Sequence, residues 1–175
     1  PKKNTAPSIV VTCHRRENIG NNLINICDAL IEISAKHPST NIIFPIHLNK
    51  QIKTVVTNKL SQVPNITLCS PLSYSEMISE MTNCTLILTD SGGIQEEAAS
   101  LGKPVLILRT VTERTEGIEQ NIAKLIGTEK NTIINETERL LNNAPLLQSM
   151  STPSDIYGDG NISKKIIQIL TNHYK

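Results

Sequence analysis

Cys84-Thr85-Leu86-Ile87-Leu88-Thr89 runs without a break into Asp90-Ser91-Gly92-Gly93-Ile94-Gln95-Glu96-Glu97-Ala98. The first six residues are apolar apart from Thr and read as a buried strand. The stretch from Gly93 to Leu101 reads as a helix, stopped by Gly102 and Pro104. Two glycines at the corner let the backbone turn tightly and come close to a ligand. The free N–H groups and positive dipole of a helix start suit a phosphate. A strand feeding straight into a helix in this way is the unit of a parallel α/β sheet.

Working outward, the same alternation recurs. Ser8 to Cys13 reads as a strand and Asn22 to Lys36 as a helix, with apolar residues at 23, 26, 27, 30, 31 and 33. His37-Pro38 ends that helix. Asn41 to Ile46 is expected as a strand, Gln51 to Leu60 as a helix, and Asn65 to Cys69 as a shorter strand. Ser75 to Met81 is expected as a helix capped by Ser73. Val105 to Leu108 and Ala123 to Gly127 complete the strands, and Thr137 to Asn143 is expected as a helix capped by Asn135. A looser stretch, Gln148 to Gly160, leads to a last helix, Ile162 to Leu170. Its apolar residues at 162, 166, 167, 169 and 170 form one face that needs something to pack on. The predicted fold is a Rossmann-like α/β domain, a parallel sheet with helices on both faces.

Composition bounds the function. The chain has 175 residues, enough for one domain with a real core. Seventeen Lys and Arg against 16 Asp and Glu leave a net charge of +1, which argues against broad nucleic-acid or membrane-surface binding. Aromatic residues are 2 %, too few for base-stacking platforms. Isoleucine dominates, with 25 copies, as suits a buried parallel sheet. No apolar run is long enough for a membrane helix, and Pro1-Lys2-Lys3-Asn4 has no signal-type stretch. Cys13, Cys27, Cys69 and Cys84 are widely spaced in apolar stretches and read as buried reduced thiols of a cytoplasmic protein, the alternatives being disulfides or a metal site.

In open α/β sheets, ligands bind beyond the carboxyl ends of the strands. Four loops qualify. At Asp90–Ala98, Ser91 adds a hydroxyl donor. Glu97, about one turn into the helix, suits a vicinal diol such as a ribose; the alternative is a helix cap by Ser91 or Asp90 with a solvated Glu pair. In His14-Arg15-Arg16-Glu17-Asn18, a His and two Arg can neutralise a diphosphate, with Glu17 holding one Arg; the alternative is a solvated charged turn. His47, in Pro45-Ile46-His47-Leu48-Asn49, reads as structural or as a contact. Arg114, in Thr112-Glu113-Arg114-Thr115-Glu116, reads as a reach to the same anion or as a surface loop. Two familiar phosphate loops fail: Gly102-Lys103 is followed by Pro104 where a Ser or Thr is needed, and Gly158-Asp159-Gly160 follows no strand.

These motifs occur in one order with Leu101-Gly102-Lys103-Pro104-Val105 and Tyr157-Gly158-Asp159-Gly160. Together they resemble the carboxyl-terminal half of the non-hydrolysing UDP-N-acetylglucosamine 2-epimerases, over nearly the whole chain. The resemblance implies one half of a two-domain glycosyltransferase-B-type (GT-B) fold. Residues 1–175 would be a single UDP-binding domain, with about 152–175 a linker and terminal helix for the missing amino-terminal domain. The ligands implied are UDP and a UDP-N-acetylhexosamine, with no cofactor. The Ser91 hydroxyl and the amides of Gly92 and Gly93 would hold the diphosphate, Glu97 the ribose, and the Leu72 backbone the uracil edge, with Met77 beside the uracil. His14 and Arg114 would act at the phosphates and reacting sugar. Arg15 and His47 match positions that touch an activating second UDP-N-acetylglucosamine. The implied reaction inverts the carbon bearing the acetamido group: it eliminates UDP to a 2-acetamidoglucal and then adds UDP back. Full-length relatives are typically dimers, a contact that would draw on the missing half.

Thr115 departs from a usual Pro, Asn121 from a usual Gly, and Met77 from a frequent aromatic. Asn tolerates positive φ, so the turn at 121 is expected to survive. The competing readings are the donor domain of a B-type glycosyltransferase and a non-catalytic nucleotide-sugar module. Retaining glycosyltransferases usually carry a second Glu eight residues after the first; Pro104 and Val105 stand there, which counts against the former.

Overall fold

The computed structural model describes residues 6–173. The polar start Pro1-Lys2-Lys3-Asn4, expected to hold no signal segment, lies outside them. Six strands form one sheet in the order β3-β2-β1-β4-β5-β6, and every pairing is parallel. They are β1 (Ser8–Thr12), β2 (Asn41–Pro45), β3 (Ile66–Cys69), β4 (Leu86–Thr89), β5 (Val105–Ile107) and β6 (Ala123–Leu125). The helices are α1 (Asn21–Lys36), α2 (Lys50–Leu60), α3 (Tyr74–Asn83), α4 (Gly92–Leu101), α5 (Thr115–Glu119), α6 (Lys130–Leu141), α7 (Ala144–Ser149) and α8 (Ile162–His173).

Alternation along each strand splits the core in two. Ile9, Val11, Leu86, Leu88 and Leu106 face the layer that holds Leu30 of α1, Val56 of α2 and Ile133 of α6. Val10, Ile87, Val105 and Ile107 face the other layer, with Met81 of α3 and Ala98 of α4. Successive residues point to opposite sheet faces, so a strand covered on both sides must be apolar throughout. That is why β4 is buried at all four positions. Each fully buried Ile or Leu contributes roughly 1.5–3 kcal/mol.

Several local expectations hold with physical detail. Ser73 caps α3 in a reciprocal box with Glu76. Gly102 ends α4 in the left-handed region, φ 62°, and the Lys103 amide donates back to Ala98 O. Lys103 Nζ donates to Cys84 O at 2.9 Å, so the Leu-Gly-Lys-Pro-Val motif ties helix end to strand start. Asn121 has φ 56°, the positive value expected of it.

Other expectations change. The helix expected over 137–143 starts at Lys130, and Asn135 lies inside it rather than capping it. Its buried stripe is Ile133, Ile134, Thr137 and Leu140, a helical spacing masked in sequence by Asn131, Thr132 and Asn135, poor helix formers. The stretch from 148 is partly ordered by α7, where the Asn143 side chain accepts from the Leu146 amide. Residues 16–18 and 115–119, read as loop, form a 3-10 turn and the short α5. Ile162, Ile166, Ile167, Ile169 and Leu170 of α8 are exposed.

Candidate functional site

The sheet order reverses between β1 and β4, which are paired with Thr12 opposite Thr89. Chains leaving these two strands diverge to opposite faces and open a crevice at their carboxyl ends. The His14 loop leaves β1 there, and the Ser91–Gly93 corner leaves β4. Thr12 and Thr89 join hydroxyls across the point at 2.6 Å, and Thr89 Oγ1 accepts the Ser91 amide at 2.9 Å. These bonds set the height at which α4 begins.

Ser91 is the residue before α4, and its side chain makes no capping bond. The hydroxyl is therefore not consumed as a cap, as the alternative reading would need. The N–H groups of Gly92, Gly93 and Ile94, in the first turn, have no acceptor within the helix. Gly93 is exposed, and a Cβ there would meet nothing within 4 Å. Gly92 lies under Arg114: a Cβ would meet its guanidinium carbon at 3.6 Å. The helix start thus carries open amides, a free hydroxyl and an adjacent guanidinium, which is what an anionic oxygen requires.

Arg114 is fixed by a 2.6 Å ion pair from its Nε to Glu96. Gln95, buried, braces the same region: it accepts from Thr112 Oγ1 at 2.9 Å and donates to Ser91 O at 3.2 Å. The Tyr157 hydroxyl accepts from the Gly117 amide at 2.9 Å and donates to Arg114 O at 3.4 Å. The Tyr-Gly-Asp-Gly motif therefore supports the Arg114 loop. Glu97 is not paired like Glu96; burial first, then the neighbouring Glu96, pushes its carboxyl above the ordinary value. A half-buried carboxyl shifted in this way marks a candidate ligand contact.

A cavity of about 230 Å³ sits beside the corner. His14, His47, Leu72, Met77, Ser91 and Ile94 are among its lining residues. Five residues singled out from sequence, on four separate segments, thus meet in one place. The rings of His14 and His47 stack with centroids 5.7 Å apart and 21° between planes. Glu97, Arg15 and Arg114 stand outside the lining of this cavity, and Arg114 approaches from the Gly92 side. Arg15 keeps its Nε buried without a partner. Among the described residues, no group of three or more His, Cys, Asp and Glu could hold a metal ion. Cys13, Cys27 and Cys84 are buried free thiols and Cys69 is half-buried; burial raises Cys27 to about 12 and Cys84 to about 11.

Two residues of the site were not legible in the sequence as site builders. Asp90 is fully buried and binds the His14–Asn18 loop rather than capping α4. Arg109 is 5 % exposed and pairs with Glu17 at 2.7 Å and Glu113 at 3.0 Å. This corrects the expectation that Glu17 holds one of its neighbouring arginines. The 3-10 turn at Arg16–Asn18 carries Glu17 beside Arg109, in the loop after β5. The signal was present: a charged residue directly after an apolar strand, at the carboxyl edge of a parallel sheet.

Comparison with known proteins gives one consistent result. The family model described as UDP-N-acetylglucosamine 2-epimerase matches residues 2–171. A Campylobacter jejuni protein named UDP-N-acetylglucosamine 2-epimerase is 45 % identical over 162 residues, which is 93 % of this chain and 42 % of that protein. The crystal structure of UDP-GlcNAc 2-epimerase from Neisseria meningitidis bound to UDP-GlcNAc superposes with TM-score 0.93 at 38 % identity, over 97 % of this chain and 46 % of that one. The carboxyl-terminal domain of a glycosyl transferase group 1 protein from Francisella tularensis shares the fold alone, with TM-score 0.67 and 15 % identity over 84 % of this chain and 81 % of its own. The chain thus spans less than half the length of the curated relative it matches.

Proposed function

The chain belongs to the UDP-N-acetylglucosamine 2-epimerase family, and on that premise we propose that it is the carboxyl-terminal, UDP-binding half of such an enzyme. The complete protein interconverts UDP-N-acetylglucosamine and UDP-N-acetylmannosamine. The observation that carries this reading is the cavity at the β1/β4 crevice, where His14, His47, Leu72, Met77 and Ser91 converge beside the open amides of Gly92 and Gly93.

In this reading the diphosphate lies on the α4 start, bound by the Ser91 hydroxyl and the Gly92 and Gly93 amides. Glu97 accepts the ribose hydroxyls. The Leu72 backbone meets the uracil edge, and Met77 lies beside the base in the same cavity. A base removes the proton from the sugar carbon that bears the acetamido group while the bond from the anomeric carbon to UDP breaks. The glucal so formed takes a proton on the other face as UDP returns. Departure of the diphosphate builds negative charge, which Arg114 and the helix-start amides stabilise, while His14 stands at the reacting sugar. Arg15 and His47 face a second, activating nucleotide sugar.

By resemblance, the family's acid and base carboxylates come mainly from the amino-terminal domain, whose closure also excludes water. This chain alone therefore binds UDP and turns over little or nothing. The segment 152–175 acts as linker and terminal helix, and the exposed stripe of α8 supports its packing on that other domain. A homodimer of the full-length form, a cytoplasmic location and a role in bacterial cell-surface polysaccharide synthesis accompany this reading.

The test is titration calorimetry with UDP. The expected dissociation constant lies between micromolar and millimolar, roughly −8 to −4 kcal/mol. Ser91→Ala and Glu97→Ala each weaken it; unchanged affinity in both removes the helix start from the site. Joining the chain to a matching amino-terminal half should restore epimerisation, and rapid turnover by the 175 residues alone would refute the assignment of catalytic groups.

A further inference from the structure

We propose that Asp90 is a positioning residue: it fixes which ring nitrogen of His14 carries the proton, and so whether the cavity meets a donor or an acceptor. The Asp90 carboxylate is fully buried at the end of β4. Its Oδ2 accepts from the amides of His14 at 2.9 Å and Arg15 at 2.8 Å, and from Asn18 Nδ2 at 2.9 Å. Its Oδ1 lies 3.1 Å from the His14 amide nitrogen, which donates, and 3.3 Å from His14 Nδ1. Asn18 also donates to Leu108 O at 3.1 Å, which anchors the carboxylate to the end of β5.

An ionised carboxylate offers only lone pairs. A bare Nδ1 at 3.3 Å from Oδ1 would set one acceptor against another beside a fully buried carboxylate. A proton on Nδ1 removes that repulsion and leaves Nε2, across the ring, with its lone pair free. His14 lines the cavity and its ring is held flat against His47, so Nε2 is the nitrogen offered to whatever occupies the cavity. An acceptor there can take a hydrogen bond or a proton from a bound sugar, which an Nε2–H ring cannot. The catalytic meaning rests on the nucleotide-sugar reading above; the tautomer does not.

The experiment is nitrogen NMR of the histidine rings in the 175-residue chain, with the His14 signals assigned by their loss in His14→Gln. It is run near pH 8, above the ordinary histidine value of about 6.5. The wild-type spectrum should place the proton of His14 mainly on Nδ1. In Asp90→Asn the side-chain amide donates toward Nδ1, so the proton moves to Nε2 and the two nitrogens exchange character, as an Asp-to-Asn change does in a catalytic triad. A purely structural Asp90 would lower the melting temperature and leave the tautomer alone. A wild-type His14 protonated on Nε2, or an Asp90→Asn protein that keeps its proton on Nδ1, overturns the proposal. If Asp90→Asn does not fold, the wild-type spectrum decides. UDP calorimetry is read separately, so failure of the nucleotide assignment and failure of this one are told apart.

Discussion

Adding a single methyl group at Gly93 separates the demands of fold from those of ligand. Gly93 sits in the first turn of α4, its φ is not positive, and a Cβ there meets no atom within 4 Å. The fold has no need of glycine at this position. Gly93→Ala removes freedom from the unfolded chain and should stabilise by about 0.4–1 kcal/mol, a rise in Tm of about 1–4 °C. The ligand has the opposite interest. If the amides of Gly92 and Gly93 donate to a diphosphate oxygen, a Cβ on the exposed side keeps that oxygen from closing to hydrogen-bond distance. A hydrogen bond to a charged group contributes about 1.5–3 kcal/mol, so UDP should bind roughly ten- to 150-fold more weakly. Thermal denaturation and calorimetry on one preparation read both quantities. Gly92→Ala is the companion, since its Cβ would only touch Arg114 at 3.6 Å, an ordinary contact. A raised Tm with unchanged UDP affinity would refute the phosphate site. A lowered Tm would mean that the glycines serve the backbone instead.

Other perturbations test the scaffold and the cavity. Gly102→Ala combines positive φ with a Cβ placed 2.7 Å from Pro153, whereas Gly127→Ala has positive φ and open space. Overpacking costs about 1–3 kcal/mol, so the first variant should be less stable than the second by that amount, a Tm lower by about 2–12 °C when both are followed by circular dichroism. The hydrogen bond from Arg109, with a backbone contact and its charge, holds the Glu113 carboxyl at about 2. A carboxylate lowered in the fold stabilises above its unfolded value of 4.5, and that contribution fades as pH falls toward about 2. The Tm difference between wild type and Glu113→Gln should therefore be constant above pH 4.5 and close on acidification; a gap that widens toward acid would contradict the pairing. Met77→Phe should tighten UDP binding if the uracil lies against residue 77, by about 0.5–1.5 kcal/mol, measured by the same titration.

Much of the site's cast was legible, because its members sit in short motifs at strand ends. Ser91, Gly92 and Gly93 announce a helix start by composition alone, and His14 follows an apolar run that has no other reading than a strand. What escaped were the residues that tie these motifs together. Asp90 reads in isolation as a helix cap, yet its partners lie 72 to 76 residues away. Glu17 reads as a partner for its neighbours, yet it bonds Arg109, 92 residues on. The helix at Lys130–Leu141 looks shorter from sequence than it is, because Asn131, Thr132 and Asn135 blur a stripe that burial makes plain.

The sequence by itself determined the alternation of strands and helices, the double-sided apolar strands and the glycine corner after β4. These follow from local backbone preference and from periodicities of two and 3.6 residues, which act over a few neighbouring positions. The tertiary structure alone decided that β1 and β4 lie side by side, and so that the Asp90 carboxylate meets the amides of His14 and Arg15 and that His14 stacks on His47. The reason is physical. A buried charge takes whichever donors the packed sheet brings within three ångströms, and no run of adjacent residues carries that distance.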